Sequence, residues 1–171
     1  MKKIIITLLL IMAAFTHGAA QKFALVDMEY ILRNIPAYER ANEQLNQTSK
    51  KWQAEVEALN LQAQTLYKNY QNDIIFLSAE QKKAREEEIL KKEKEASDLK
   101  KKYFSPEGEL FKKRESLVGP IQDEIYNAVK AIAEQKGYQL VIDRASDNGI
   151  VFASPTADIS NDVLAKLGYS K

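Results

Sequence analysis

Two aspartates, Asp27 and Asp143, stand at the ends of short apolar runs and are the acidic pair most suited to catalysis. Two carboxylates held close together can hydrolyse a glycosidic bond, one acting as acid and the other as base or nucleophile. Neither aspartate is flanked by the aromatic and polar residues that a sugar-binding cleft requires. Because aspartate is common where a strand gives way to a loop, we interpret both as loop residues.

Catalysis by a serine or threonine hydroxyl is not supported either, because the chain has a single histidine, His17, and no cysteine. Zinc and copper sites, cysteine nucleophiles and histidine-based triads all depend on those two residue types. Thr156 and Ser160 therefore lack an activating base, and we expect them at helix caps or turns. The sequence predicts no catalytic residue, no metal ligand and no cofactor site, and the protein is predicted not to be an enzyme.

The first twenty residues have the three-part pattern of a secretory signal peptide. Lys2 and Lys3 precede an apolar run from Ile4 to Phe15, and small residues follow up to Ala20. The run is shorter than the roughly 20 residues that a membrane-spanning helix needs. We therefore expect cleavage after Ala20 and export of a soluble chain.

Charge and composition limit the possible partners of the exported chain. Removing Lys2 and Lys3 lowers the basic residues from 25 to 23, against 24 acidic residues, which gives a net charge of about −1. Such a balance argues against a general nucleic-acid binder. Since no disulfide can form, stability must come from packing or from assembly of several copies.

A long helical segment occupies the middle of the chain, because no glycine or proline lies between Pro36 and Pro106. Its apolar residues recur at a mean step of about 3.5, which predicts a coiled-coil seam. A helix over residues 38–77 would be roughly 60 Å long. The seam positions are Tyr38, Ala41, Leu45, Thr48, Trp52, Val56, Leu59, Ala63, Leu66, Tyr70, Ile74 and Leu77.

The segment Phe76–Gln81 is predicted to reverse the chain. Ser78 and Gln81 have the spacing of a capping box, which starts a second helix. That returning helix carries its own apolar seam, so the two helices form an antiparallel hairpin. Two interruptions, Ser105–Gly108 with Pro106 at a first helical position and Gly119–Pro120, are each expected to kink or restart the helix.

Three strand candidates lie outside this rod: Phe23–Asp27, Tyr138–Asp143 and Ile150–Ala153. The last two flank Asn148-Gly149, a strong β-hairpin signal. A short helix should follow, with Ser160 as N-cap and Gly168 as stop.

A sheet this small buries too little on its own, so we expect several copies to share its core. The predicted oligomerisation core consists of Leu25, Val26, Leu140, Val141, Ile142 and Val151. The predicted fold class is α+β, mostly α: a long antiparallel helical coiled-coil hairpin on a small β body assembled between subunits. The β-containing body would comprise residues 21–37 and 120–171, and the hairpin residues 38–119, with its tip near 76–81.

The two ends of the mature chain resemble the Skp/OmpH family of periplasmic chaperones. The resemblance rests on the segments Phe23–Leu32, Ala131–Asp143 and Asp158–Leu164, while the middle matches only in helical character. It implies a periplasmic homotrimer with a small β-barrel body and three helical tentacles. Unfolded outer-membrane proteins would be held between the tentacles without ATP. The best-known members are basic, so no lipopolysaccharide-binding patch is transferred to this near-neutral chain.

The end of the first long helix has more apolar residues than a narrow seam uses. These residues are Tyr67, Tyr70, Ile74, Ile75, Phe76 and Leu77. One interpretation is a client-binding face, and the other is packing of all six against the returning helix. The first interpretation is favoured for Tyr67, Ile75 and Phe76, because they lie off the seam.

Basic residues near the tip have two interpretations as well. Lys82, Lys83 and Arg85, with Lys68 opposite, could steer acidic clients or touch anionic lipid transiently. The neighbouring glutamates 86–88 largely cancel that field, which favours a solvated helix face.

Two functions from different classes remain open at this point. The first is an ATP-independent holdase for unfolded outer-membrane proteins. The second is a structural or adaptor coiled coil that binds one folded partner. A holdase should bind unfolded clients, whereas an adaptor should ignore them.

Overall fold

The computed structural model describes residues 22–146 and 149–169. The predicted signal peptide lies outside these residues. The described chain divides into two compact units, one of residues 22–31 and 125–169 and the other of residues 32–124. The elements in order are β1 (Phe23–Val26), α1 (Met28–Arg33), α2 (Pro36–Asp73), α3 (Ala79–Phe104), α4 (Glu109–Lys136), β2 (Leu140–Asp143), a 3-10 helix (Pro155–Ala157) and α5 (Ser160–Lys166).

The helical hairpin predicted from the seam is present in the unit of residues 32–124. Helices α2 and α3 pack against each other over much of their length. The buried positions include Val56 and Ala63 of α2 and Ile89 and Ala96 of α3. In each helix the two residues are seven positions apart, the heptad spacing that keeps one stripe of a helix facing its partner. The mostly helical fold class is thereby confirmed.

The turn between α2 and α3 has the predicted capping box. The Ser78 hydroxyl accepts a hydrogen bond from the Gln81 backbone N–H at 3.3 Å, and the Gln81 side chain accepts one from the Ser78 N–H at 2.9 Å. Two otherwise unpaired backbone donors are satisfied in this way. Helix α2 ends at Asp73, four residues before the predicted end, and the Phe76 N–H then bonds the Asp73 carbonyl at 2.8 Å.

Of the two predicted helix interruptions, only the first divides the chain. Residues 105–108 form a turn between α3 and α4, in which the Gly108 N–H bonds the Ser105 carbonyl at 2.8 Å. Because α4 begins at Glu109, the placement of Pro106 at a first helical position was wrong. Gly119–Pro120 does not restart the helix, since Pro120 lies inside α4, and the alternative of a kink there stays a prediction. A proline removes one backbone hydrogen bond, and the many remaining hydrogen bonds keep a helix of this length continuous.

The two strands pair in parallel, with Phe23 opposite Leu140 and Val26 opposite Asp143. The predicted third strand was wrong, because Ile150–Ala153 has no strand structure. Asp147 and Asn148 of the predicted hairpin turn lie outside the described residues. The C-terminal segment instead contacts β1, where the Ile159 N–H bonds the Leu25 carbonyl at 2.9 Å. Pairing between distant segments thus prevails over the local turn signal.

The helix ends in this unit match the glycine signals. Gly137 has φ +71° directly after α4, and the Tyr138 N–H bonds the Ala133 carbonyl at 2.9 Å. Gly168 has φ +83° after α5. Such a left-handed residue closes a helix at little cost only when it is glycine.

The unit's core has Ala24, Ile31, Ile125, Ile159 and Val163 fully or almost fully buried. Within residues 22–146 and 149–169, no helix is both long and apolar enough to cross a membrane.

Candidate functional site

The tip of the helical hairpin exposes the apolar residues predicted to lie off the seam. Ile75 is 78% exposed and Phe76 is 80% exposed, and Tyr67 is also exposed. Residues 74–76 form the turn after α2, and Ile75 and Phe76 belong to this turn. We call Tyr67, Ile75 and Phe76 the tip surface.

The seam residues near the tip are more enclosed than the tip surface. Tyr70, Ile74 and Leu77 are half-buried. The Tyr70 hydroxyl donates a hydrogen bond to the Glu86 carboxylate of α3, which raises the pKa of Tyr70 because losing the proton would place two negative charges together. The structure therefore separates the six predicted residues into three that close the seam and three that face solvent.

The basic residues near the tip have acidic neighbours along the same helix. Lys83 lies 4.0 Å from Glu87, and Arg85 lies 3.9 Å from Glu88. Both pairs are exposed and therefore contribute little to stability. They do lower the local positive potential, which agrees with a solvated helix face.

An aromatic stack ties α2 to the end of α3. The ring centroids of Trp52 and Tyr103 lie 4.4 Å apart, and the ring planes are nearly parallel, with an angle of 3° between them. The Tyr103 hydroxyl donates a hydrogen bond of 2.7 Å to Glu55, and this bond raises the pKa of Tyr103. The seam spacing predicted that Trp52 lies in the hairpin interface, but it did not predict the hydrogen bond between Tyr103 and Glu55.

Replacing Tyr103 by phenylalanine should lower the thermal midpoint slightly, because the bond to Glu55 is lost while the ring stack is retained. Replacing it by alanine should lower the midpoint by several degrees and shift the fluorescence of Trp52, the only tryptophan, to longer wavelength as water reaches the indole. The hydrogen bond that raises the pKa of Tyr103 stabilises the fold at pH values below the ordinary tyrosine pKa of about 10. This stabilisation is lost as the pH rises through the raised pKa. A difference in thermal midpoint between the wild type and Tyr103→Phe that stays the same from neutral pH to pH values above the raised pKa would contradict this account.

The residues predicted to form an oligomerisation core differ in burial within one chain. Leu25 and Val26 of β1 are buried, and Val141 and Ile142 of β2 are half-buried. Two apolar residues remain in water: Leu140 is 49% exposed and Val151 is 100% exposed. Phe23, Tyr126 and Phe152, which were not predicted, are exposed apolar side chains of the same unit.

The two aspartates considered for catalysis are held in a polar cluster. Asp27 lies 3.1 Å from the Arg144 guanidinium, which also lies 3.3 Å from Asp158. Asp143 accepts hydrogen bonds from the backbone N–H groups of Met28 at 3.1 Å and Ala145 at 3.0 Å. The carboxylates thus connect the two strand ends to the C-terminal segment.

Ser160 belongs to this cluster, and its prediction as a helix N-cap was wrong. Its hydroxyl accepts a hydrogen bond from the Asp27 N–H at 2.8 Å and donates one to Asp158 at 2.6 Å. Helix α5 instead follows Ile159, which makes no side-chain cap. Sequence reasoning missed Arg144 and Asp158, because only the fold brings them to Asp27. The described part of the chain has no group of three or more His, Cys, Asp or Glu residues arranged to hold a metal ion.

Comparison with known proteins gives one family and several relatives. The model of the family described as "Outer membrane protein (OmpH-like)" matches residues 22–167. Chaperone protein Skp of Yersinia enterocolitica is 28% identical over 160 residues, covering 92% of this chain and 93% of that protein. Chaperone protein Skp of Pectobacterium atrosepticum is 26% identical over 161 residues, with 93% of each chain covered. Chaperone protein Skp of Yersinia pestis is 29% identical over 155 residues, with coverages of 91% and 90%.

Proposed function

Since the chain belongs to the Skp/OmpH family, we propose that it is an ATP-independent holdase chaperone of the periplasm that binds unfolded outer-membrane proteins. The relatives that carry the name chaperone align over nearly their whole length. The signal-peptide pattern of residues 1–20 supports export. A holdase needs no nucleotide, and the sequence contains no glycine-rich phosphate-binding loop.

The tip surface is the observation that carries this proposal. Tyr67, Ile75 and Phe76 place apolar side chains in water at the end of a helical hairpin. The binding free energy gained at each side chain is roughly 25 cal/mol for every Å² of apolar surface that a client covers. Contacts of this kind are weak singly and nearly independent of client sequence. They suit a protein that must bind many unfolded chains and release them again.

Assembly between copies is the second part of the proposal. The exposed Leu140 and Val151 would be covered by neighbouring subunits, as an oligomerisation core requires. The number three comes from the family resemblance. The division of the chain into two compact units supports a body and a helical hairpin as separate parts, with the boundaries near residues 31 and 125.

Removing the tip surface should weaken client holding. We expect the double variant Ile75→Ser, Phe76→Ser to need a several-fold higher concentration than the wild type to suppress aggregation. The client is a urea-unfolded outer-membrane protein diluted beside the chain, and light scattering measures its aggregation. Both side chains are exposed, so the fold and the oligomer should be unaffected.

The matched control is Leu61→Ser, Leu90→Ser, which removes two exposed apolar side chains elsewhere on the hairpin. This control should hold clients nearly as well as the wild type. Equal loss in both variants would contradict a specific role of the tip. No suppression by the wild type in several-fold excess would contradict the holdase itself.

The absolute mass of the assembly separates the holdase from the adaptor. A holdase should gain the mass of one unfolded client and keep it soluble. An adaptor should keep its mass beside a precipitated client and bind one folded protein. An anionic lipid surface is a weaker partner than either, because Lys83 and Arg85 face glutamates.

A further inference from the structure

A cavity lies beside the turn that separates α3 from α4, away from the tip surface. It has a volume of about 640 Å³ and is open to solvent. Its apolar lining comes from Leu45 of α2, Phe104 at the end of α3, and Leu110 and Phe111 of α4. The volume falls within the range of about 300–1,000 Å³ that small-ligand pockets occupy.

The polar lining of this cavity comes mainly from one face of α2. Asn42, Asn46 and Ser49 follow at steps of four and three residues and therefore share a face of the helix. The side chains of Asn42 and Asn46 make no hydrogen bond with any residue that the structure describes. Each amide can both donate and accept, which suits it to a peptide group.

Arg114 of α4 gives the cavity its charge. This residue lines the cavity, and its guanidinium makes no ion pair with a described carboxylate. By contrast, Lys112 of the same helix lies 3.6 Å from Glu109. An arginine presents a planar fork of donors that matches a carboxylate.

We propose that this cavity binds the free C-terminal end of an unfolded chain whose last side chain is apolar. Arg114 would bind the terminal carboxylate, Asn42 and Asn46 the last peptide group, and the apolar lining the last side chain. The inference deepens the proposed function, on which it rests, by naming one feature of the client.

Charge complementarity decides between the possible occupants. The middle of an extended apolar chain has no charge to match Arg114, and an N-terminal ammonium would be repelled by it. A small inorganic anion would leave Leu45, Leu110 and Phe111 uncovered. A C-terminal end combines one carboxylate, a peptide group and an apolar side chain within one residue, whereas an internal segment would need an acidic residue beside the apolar one.

The test uses two synthetic peptides that end in phenylalanine and differ only at the C-terminus. Both carry a fluorophore at the N-terminus, and one ends in a free carboxylate while the other ends in an amide. We expect fluorescence anisotropy at low salt to show about tenfold tighter binding of the free acid to the wild-type oligomer. Equal affinities, or no binding of either peptide, would overturn the proposal, and equal affinities would indicate an internal apolar segment as the occupant.

Variants of two arginines locate the effect. Arg114→Gln should remove the preference for the free acid, and Arg114→Lys should retain part of it. Arg40→Gln removes the same charge from α2 and should keep the full preference, because Arg40 does not line the cavity. Circular dichroism and mass should be the same for all, since Arg114 is exposed and unpaired among the described residues. A preference that persists in Arg114→Gln would overturn the role of this residue.

Aggregation suppression separates this inference from the proposed function. If the wild type suppresses aggregation but binds both peptides equally, the cavity proposal fails and the holdase stands. If it binds the free acid preferentially but suppresses no aggregation, the holdase fails and the cavity proposal stands.

Discussion

Replacing Gly108 by alanine is expected to destabilise the helical hairpin by about 2 kcal/mol. A Cβ atom at this position would lie 2.8 Å from the Tyr103 carbonyl oxygen and 2.9 Å from that of Lys102. Both are backbone atoms at the end of α3, so the turn itself would have to move. The cause is steric, because Gly108 does not have a positive φ.

The consequence should reach beyond the turn. The Gly108 carbonyl accepts the Lys112 N–H at 3.1 Å, and its own N–H bonds Ser105. Displacing Gly108 therefore disturbs the start of α4 and the cavity beside it. Urea unfolding followed by circular dichroism should show a lower midpoint and an unchanged slope.

Gly119→Ala is the matched control, because a Cβ there meets no atom within 4 Å. Gly119 lies inside α4, where alanine is favoured over glycine by up to about 1 kcal/mol. The two substitutions add the same methyl group and should shift the midpoint in opposite directions. Shifts of the same sign would contradict the packing described for residues 105–108.

The hairpin was predictable because its signals are local. The seam of α2 and the pair Ser78 and Gln81 act over three or four residues, and the structure follows them. The parallel pairing of β1 with β2 was not predictable in this way. It joins Phe23 to Leu140, and no local pattern distinguishes that pairing from a hairpin with Ile150–Ala153.

The candidate site shows the same division. Spacing alone separated Tyr67, Ile75 and Phe76 from the seam, and they are the exposed ones. No sequence pattern indicated a role for Arg144 or Arg114, because the sequence does not distinguish a functional arginine in a charged segment from a solvated one. Their surroundings arise only when distant segments meet, as Asp27 and Asp158 do at Arg144.

Replacing Val151 by aspartate is expected to convert the proposed oligomer into folded monomers. Val151 is 100% exposed within one chain, so the new charge should change the stability of the isolated chain by no more than about 0.5 kcal/mol. In an interface, each copy would instead bury an unpaired carboxylate, which costs several kcal/mol or more. Dissociation without unfolding is the expected result, measured by absolute mass and far-UV circular dichroism.

Two further variants make this result specific. Val141→Asp should give unfolded or monomeric chains, because Val141 is half-buried and lies opposite the buried Ala24. Leu90→Asp places the same charge on an exposed position of α3 and should leave the mass unchanged. Since Val151 is fully exposed within one chain, a monomer with native helix content would indicate loss of contacts between chains. An oligomer that survives Val151→Asp would remove Val151 from the shared core and leave Leu140 as its exposed part.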